Sequence, residues 1–259
     1  MERAFEEYKQ YINIVEGEFE GCPYLLTTIK KNISQSEVIR PRLKLTCEHN
    51  CYSDVTSLYD YMIDKDILFG VNAGIFNTGT NEPECVLVLD GKVLYDRLET
   101  YVHVNANDGG EKRDIMYILG IKDNGDLKLY PPSYTAQQII DDGCNEAFMG
   151  FVPLVMDYKV VDWADEAVPF GSYLNKQRQI IGQWENGDYF ILTVLESGLT
   201  YKQTKALLMK LNVPYGYALD NGSSTQTMFH HERLTPVYRH ETGRRIPTIL
   251  IFNVESAAN

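Results

Sequence analysis

Alternation of apolar and polar residues predicts that strands make up most of this chain. Three pairs of strand-like runs are each separated by a short Asx-Gly step, at Asp90-Gly91, Asn124-Gly125 and Asn186-Gly187. Such steps between β-branched or aromatic runs are typical of two-residue hairpins with type I′ turns. The pattern therefore predicts at least three antiparallel strand pairs.

Helical spacing of apolar residues is confined to four short segments. They are residues 2–15, a helix with its N-cap at Ser53, a short helix over about 135–141, and a helix that begins at Thr200. The last has the strongest signal, because Thr200 and Gln203 form a capping box. Its apolar stripe is predicted to comprise Ala206, Leu207, Leu208 and Leu211.

Strands outnumber helices, which predicts the α+β class. We expect a single domain with one large mixed or antiparallel sheet, several hairpins and about four helices packed on it. No internal repeat or low-complexity linker divides the chain. Residues 1–50 are predicted to form an N-terminal extension of helix and strand, and residues 51–259 the main domain.

Charge and hydropathy exclude several classes of partner. The chain has 24 basic and 36 acidic residues, a net charge of -12, which repels nucleic acid and anionic membrane surfaces. It has neither a run of about 18 apolar residues nor the apolar core of a signal peptide. The expected location is therefore the cytoplasm, or a virion or host cytoplasm if a phage encodes the chain. The oligomeric state is not predicted.

The five cysteines do not predict a disulfide framework, because their number is odd and no export signal precedes them. Cys47 and Cys51 bracket the sequence Cys-Glu-His-Asn-Cys, which has part of a metal-site pattern. Zinc needs four ligands, and His49 is the only nearby addition. Buried or unreactive thiols are the favoured interpretation.

The stretch Ala218–Thr227, ALDNGSSTQT, contains a fourth Asn-Gly pair. Another hairpin is one interpretation, because both flanking segments could form strands. A two-residue hairpin, however, has no use for Asp220 beside three consecutive hydroxyls at residues 223–225. Polar groups crowded at the end of a strand, with a glycine that lets a ligand approach, are typical of a phosphate- or sugar-binding loop. On these residues alone both interpretations stay open.

Two further stretches combine a strand with an unusual polar residue. In the first, the strand ILFGV leads into Asn72, and Gly74 lets the chain turn sharply. In the second, Arg178 begins an otherwise apolar strand. A plain strand-end turn and an edge-strand charge are the respective structural alternatives.

Six short motifs follow one another in order between about residues 53 and 253. They are Asn72, Gly74 and Phe76 in VNAGIF; Gly120 to Leu127 in LGIKDNGDL; Arg178 and Gly182; Gly198-Leu-Thr200; Asp220 with Gly222, Ser223, Ser224 and Thr225 in LDNGSST; and Arg244 with Ile246. Their order and spacing resemble those of the phosphodiester glycosidase family. The sequence departs from the family pattern at Ala73 and Asn221, where glycine is usual. Asparagine tolerates positive φ, so Asn221 is expected to preserve the backbone.

The resemblance implies hydrolysis of the bond between sugar C1 and phosphate in a glycosyl-1-phosphodiester, such as one of N-acetylglucosamine. Free sugar and a phosphomonoester are the implied products. A small molecule or glycan carrying this group is therefore the expected partner, and no cofactor is firmly implied. A divalent cation at Asp220 and neighbouring carboxylates is left open.

The same resemblance suggests a role for each residue. Asp220 is expected to act as base, nucleophile or electrostatic stabiliser, with Glu84 as a second carboxylate. Arg178 and Arg244 are expected to hold the phosphate, so Arg178→Lys should raise KM or lower turnover. The other expected contacts are the loop residues Asn221, Gly222, Ser223, Ser224 and Thr225 around the phosphate, Gly74 at the turn, and Asn72 on sugar hydroxyls.

Two other functions compete with this hypothesis. One is a non-catalytic module of a phage or surface assembly that binds a glycan or phosphate, because a fold can persist after its chemistry is lost. The other is hydrolysis at phosphorus. Two-metal phosphodiesterases need clustered His and Asp ligands, and His230-His231 has no obvious Asp-x-His partner, so this hypothesis is disfavoured.

Overall fold

The computed structural model describes residues 7–48, 51–96, 116–162, 174–237 and 241–257. Within these ranges the chain forms seventeen β-strands and three α-helices. The strands are β1 (Ile12–Phe19), β2 (Cys22–Ile29), β3 (Glu37–Leu45), β4 (Phe69–Asn72), β5 (Val86–Leu89), β6 (Lys92–Asp96), β7 (Ile118–Lys122), β8 (Leu127–Tyr130), β9 (Cys144–Met149), β10 (Pro153–Met156), β11 (Lys159–Val160), β12 (Lys176–Gln183), β13 (Tyr189–Leu199), β14 (Gly216–Ala218), β15 (Thr227–Phe229), β16 (Glu232–Arg233) and β17 (Thr248–Ser256). The helices are α1 (Leu58–Met62), α2 (Ala136–Asp141) and α3 (Tyr201–Lys210).

The strands form three antiparallel sheets, not the single large sheet with about four helices that the pattern predicts. The first sheet has the order β1-β2-β13-β12-β14-β10-β11, the second β16-β15-β4-β17-β3, and the third β6-β5-β9-β7-β8. The class remains broadly α+β but is dominated by sheet. The physical reason is visible in β12, where every residue from Gln177 to Gln183 is buried. A strand buried on both faces needs a packed layer on each side.

All three sheets contribute to one main hydrophobic cluster. It includes Ile181 of the first sheet, Phe69 and Phe252 of the second, and Phe148 of the third. The Phe252 ring packs edge-on against Phe69 and against Tyr189 of the first sheet, with centroid distances of 5.9 and 5.6 Å. These contacts hold the ends of β4, β12 and β14 in fixed positions, where the polar motifs lie.

Within its described part, the predicted N-terminal helix over residues 2–15 is helical at residues 7 and 8 but ends before Ile12, so the prediction is wrong for residues 12–15. A 3-10 turn covers Lys9–Tyr11, and β1 starts at Ile12. Glu20 and Gly21, with φ of 50° and 76°, form a tight turn that lets β1 pair with β2. Pairing within a sheet thus overrides the helical spacing. Residues 2–6 lie outside the described ranges.

Strands that precede residue 50 are integral to two sheets. β2 pairs with β13 in the first sheet, and β3 pairs with β17 along nine residues of the second. The division of the chain near residue 50 stays a prediction from sequence.

The second predicted helix forms later than expected. Residues Tyr52–Asp54 make only a 3-10 turn, and α1 begins at Leu58 with Ser57 as its N-cap. The Ser57 hydroxyl accepts a hydrogen bond from the Asp60 N–H and donates to the Asp60 carboxylate. Ser57 therefore accepts a hydrogen bond from a free N–H group at the start of α1, the capping role that was predicted for Ser53.

The helices α2 and α3 confirm the other two predictions, including the capping box of Thr200 and Gln203. The predicted stripe of α3 is partly wrong, because Ala206 is exposed and Leu211 is half-buried. The buried face instead comprises Tyr201, Thr204, Lys205, Leu207 and Leu208. It begins at the first helical residue, which brings Tyr201 toward the candidate site. Within the described residues, none of the helices has both the length and the apolar character needed to traverse a membrane.

All three predicted hairpins form, but only one has the predicted turn. Asp90 and Gly91 both have positive φ, 48° and 70°, as a type I′ turn requires. At the other two steps only Gly125 and Gly187 have positive φ. There each asparagine accepts a hydrogen bond from the N–H two residues later, at 2.9 and 3.1 Å. This local bond favours a type I turn followed by a glycine bulge.

A buried carboxylate joins the second and third sheets. Glu146 of β9 is 1% exposed, and its Oε2 accepts a hydrogen bond from the Leu43 N–H of β3 at 2.6 Å. Burial raises the pKa of Glu146 to about 7, opposed by the Leu43 N–H and by Arg42, whose Nη1 lies 3.7 Å from Glu146 Oε1. Because Glu146 is buried between two sheets, its protonation changes the stability of their packing, and that stability therefore depends on pH.

Glu146→Gln is expected to change the pH dependence of stability. Because the folded state has the higher pKa, the folded wild type binds a proton as pH falls, and its free energy of unfolding rises. Between pH 8 and 5 this gain is about 2 kcal/mol relative to Glu146→Gln. Urea unfolding of both proteins at several pH values measures it, with the exposed Glu16→Gln as control. A constant difference between wild type and Glu146→Gln would contradict the prediction.

Candidate active site

The loop that follows Ala218 crosses between two sheets. β14 ends at Ala218 in the first sheet, and β15 starts at Thr227 in the second, so the two flanking strands do not pair with each other. The hairpin interpretation of this Asn-Gly pair is therefore wrong. A 3-10 turn covers Gly222–Ser224, and the Asp220 N–H donates to the Ala73 carbonyl at 3.0 Å. The loop thus sits against the end of β4.

Asn221 does not adopt the positive φ expected at a position where glycine is usual. Its φ is -124°, and Gly222 has the positive value, 63°. The Asn221 side chain instead donates to the Tyr201 hydroxyl at 2.9 Å, and its N–H donates to Asp220 Oδ1 at 2.8 Å. Asn221 therefore anchors the loop to the start of α3.

Asn72 holds both ends of this loop. Its Nδ2 donates to the Asp220 carbonyl at 2.8 Å, and its Oδ1 accepts from the Gln226 N–H at 3.1 Å. The side chain is 1% exposed. The amide therefore contacts backbone groups at both ends of the loop, and its contact with sugar hydroxyls stays a prediction.

Glycine is needed at position 74 because two backbone segments approach each other closely there, and not because the turn has a positive φ. A Cβ at this position would lie 2.9 Å from the Met149 carbonyl oxygen. Its N–H donates to the Thr248 hydroxyl at 3.1 Å. Gly74 thus lets the end of β4 pack against the third sheet, and its predicted contact with substrate stays a prediction.

Arg244 contacts the loop through its guanidinium group. Its Nη1 donates to the hydroxyls of Ser223 and Ser224, both at 3.1 Å, and its guanidinium lies 4.9 Å above the Phe76 ring. Ser224 is fully buried, whereas Ser223 and Arg244 keep partial exposure. A cation and two hydroxyls therefore converge beside Asp220, as the sequence predicts for an anion cradle. The fifth loop position, Thr225, is buried beneath it.

The Asp220 carboxyl lies in this polar corner and is half-buried. Burial raises the pKa of Asp220, and the Ser224 hydroxyl, the Asn221 N–H, Arg244 and Lys176 oppose that shift. A carboxyl whose pKa is perturbed by burial, with cations on hand, is typical of a functional site.

Arg178 lies behind the loop. It is 1% exposed, and its guanidinium donates to the carbonyls of Leu199 and Leu174, each at 2.8 Å. It also stacks 4.3 Å from the centre of the Tyr201 ring, and burial lowers its pKa. These described partners support Tyr201, which in turn contacts Asn221. These partners favour a supporting role, and the phosphate clamp predicted from sequence stays a prediction.

Glu84 lies on the segment that returns to Phe76, the ring on which Arg244 stacks. It follows Pro83, which bridges to Phe76, and its N–H donates to the Ile75 carbonyl at 3.1 Å. Glu84 therefore belongs to the returning arm of the loop after β4. Its pairing with Asp220 as a second catalytic carboxylate stays a prediction.

Sequence reasoning missed three residues that shape the site. Gln226 accepts from the Leu58 N–H at 3.1 Å and donates to the Arg244 carbonyl at 2.8 Å, so it fixes the backbone that carries Arg244. Tyr201 and Lys176 lie beside Asn221 and Asp220, respectively. Only Gln226 had a visible signal, since it directly follows the hydroxyl run. Tyr201 and Lys176 are distant from the loop in sequence, since they belong to α3 and β12.

The described part of the chain contains no group of three His, Cys, Asp or Glu side chains arranged to hold a metal ion. Cys47 is half-buried and Cys51 exposed, both as free thiols. His49 lies outside the described ranges, so the pattern around Cys47 has no structural test. A divalent cation at Asp220 stays an open prediction.

Comparisons with known proteins place this geometry in context. A model of the phosphodiester glycosidase family matches residues 65–253. No curated protein matches the sequence. Among solved structures, the chain resembles the zebrafish N-acetylglucosamine-1-phosphodiester alpha-N-acetylglucosaminidase catalytic domain, auto-inhibited by its pro-peptide, with 16% identity and a TM-score of 0.66 over 93% of this chain and 81% of that one.

Two bacterial structures are similar at lower identity. A hypothetical protein from Synechocystis has 13% identity and a TM-score of 0.63, covering 93% of this chain and 61% of its own. A putative exported protein from Burkholderia pseudomallei has 10% identity and a TM-score of 0.60, covering 89% and 74%. At these identities the structures share the fold with this chain.

Proposed function

Because this chain belongs to the phosphodiester glycosidase family, we propose that it hydrolyses the bond between sugar C1 and phosphate in a glycosyl-1-phosphodiester. The products are free sugar and a phosphomonoester. N-Acetylglucosamine is the proposed sugar, since the zebrafish relative is named for that substrate.

One observation carries the proposal. The Asp220 carboxyl adjoins a loop whose Ser223 and Ser224 hydroxyls are both held by Arg244 Nη1 at 3.1 Å. Cleavage at C1 develops positive charge on the sugar and negative charge on the departing phosphate. A carboxylate next to a guanidinium and two hydroxyls offers a group of suitable charge to each half of that transition state.

The chemistry determines which role suits Asp220. Phosphate leaves far more readily than a sugar alkoxide, so protonation of the leaving group matters less and cationic contacts matter more. Asp220 therefore acts as an anion, either by attacking C1, by activating water, or by stabilising the cationic sugar. Arg244 and the Ser223 hydroxyl bind the phosphate, and Asn72 keeps the loop in position. Whether configuration at C1 is retained depends on the distance from Asp220 to a second carboxylate such as Glu84.

Hydrolysis of a methyl phosphodiester of N-acetylglucosamine-1-phosphate, and of UDP-N-acetylglucosamine, tests the proposal. We expect release of free N-acetylglucosamine. In water labelled with ¹⁸O, the label should enter the sugar at C1. Label in the phosphate would instead indicate hydrolysis at phosphorus. Binding of these compounds without turnover would favour a non-catalytic module.

A further inference from the structure

Lys176 lies over the loop that carries Asp220. It is the first residue of β12, and the start of β12 packs against the 3-10 turn Gly222–Ser224. A Cβ placed on Gly222 would lie 4.0 Å from Lys176 Cδ. The side chain is half-buried. The stem of the side chain thus lies near the turn while part of the residue still contacts solvent.

A break in strand register separates Lys176 from Arg178. Lys176 pairs with Leu199 and Arg178 with Val194, with an irregularity between them. Gly198, at a φ of 65°, makes this possible, because a Cβ there would lie 2.2–2.5 Å from the Lys176 backbone. The two cations consequently have different environments. Arg178 is 1% exposed behind Tyr201, whereas Lys176 remains over the loop.

Two cations act on the Asp220 carboxyl. Lys176 and Arg244 both lower the pKa of Asp220 by charge, and they reach it from different parts of the fold. Arg244 contacts the turn through the hydroxyls of Ser223 and Ser224, whereas the Lys176 side chain approaches it at Gly222. An anion bound at this turn would therefore lie near two positive charges.

We propose that Lys176 is the second cation of the phosphate site, together with Arg244 at the Gly222–Ser224 turn, in the role that the sequence assigned to Arg178. This inference rests on the proposed function. An ammonium on a flexible stem can follow the phosphate as the bond to C1 breaks, while the guanidinium of Arg244 fixes its orientation. Lys176 therefore assists binding of the phosphoryl group and not of the sugar.

Calorimetric titration with N-acetylglucosamine-1-phosphate tests this assignment. Lys176→Gln is expected to weaken binding about tenfold, and Lys176→Arg to retain most of the affinity. Lys202→Gln, at an exposed position of α3, is the matched control and should bind like wild type. Thermal unfolding of each variant checks that it is folded. The affinity for free N-acetylglucosamine should be equal in all of them.

A pH profile gives a readout that a merely structural lysine would not affect. Loss of the Lys176 charge should move the acid limb of kcat/KM to higher pH, because one of the groups that lowers the pKa of Asp220 is removed. If Lys176→Gln and Lys202→Gln have equal affinity for N-acetylglucosamine-1-phosphate and equal pH profiles, Lys176 has no role in the site. That result would leave the proposed function unaffected. Failure of the wild type to bind the sugar phosphate would overturn the proposed function together with this inference.

Discussion

Asp220→Asn should lower the turnover of an N-acetylglucosamine-1-phosphodiester by at least about two orders of magnitude. Asparagine keeps an oxygen that can accept the Asn221 N–H, now bonded to Asp220 Oδ1 at 2.8 Å, but it has no negative charge to offer the cationic sugar. The measurement is kcat from the release of free sugar. The exposed Asp64→Asn is the control and should retain wild-type turnover.

The same variant should unfold no more readily than wild type. Burial raises the pKa of Asp220, so its ionised form opposes folding at neutral pH, and a neutral amide removes that cost. Urea unfolding therefore separates loss of chemistry from loss of structure. Turnover within tenfold of wild type in a folded Asp220→Asn protein would reject a direct role for this carboxyl.

The pH profile reports the form in which Asp220 works. If it acts as an anion, the rate falls as pH drops through its pKa, which burial places above the ordinary aspartate range. That acid limb should be absent from the residual activity of Asp220→Asn. A wild-type rate that instead falls as pH rises through the same group would indicate a general acid.

Arg178→Met is expected to lower the free energy of unfolding by roughly 2–4 kcal/mol. Methionine fills much of the same space, but it leaves the carbonyls of Leu199 and Leu174 without the donors that reach them at 2.8 Å. It also removes the guanidinium stacked on Tyr201. Urea unfolding measures the loss. Arg178→Lys should lie between wild type and methionine, because an ammonium cannot reproduce the planar contacts.

Binding of N-acetylglucosamine-1-phosphate decides between the two roles of Arg178. If Arg178 is a supporting residue, its substitution lowers stability, and the folded variant binds N-acetylglucosamine-1-phosphate almost as tightly as wild type. The sequence pattern favours the opposite result, with a raised KM in Arg178→Lys. If Arg178→Lys has normal stability but loses affinity for N-acetylglucosamine-1-phosphate, Arg178 binds the phosphate directly, as predicted from sequence.

Local features were the most predictable from sequence. The hairpin at Asp90-Gly91 and the helix capped by Thr200 form as predicted, because their hydrogen bonds join residues a few positions apart. The turn types at Asn124 and Asn186 were wrong for an equally local reason. In each, the asparagine side chain accepts a nearby N–H and keeps its own φ negative.

In the candidate site, the loop from Asp220 to Thr225 could be recognised because its polar residues are contiguous. Arg244 contacts this loop through Ser223, although the two motifs are well separated in the chain, and its role in binding phosphate stays a prediction. The environments of Arg178 and Asn72 could not be predicted. Both environments depend on which face of a buried strand packs against a neighbouring sheet. The sequence alone does not show which sheets pack together.

By itself, the sequence determined the family, the strand-rich composition and the motif that carries Asp220, since each is a property of residues close together in the chain. Only the tertiary structure decided that three sheets share the core, that Arg178 is buried against Tyr201, and that the Lys176 side chain lies near Gly222. The physical reason is that burial and charge act between neighbours in space. The register break between Lys176 and Arg178 places residues only two positions apart in different surroundings.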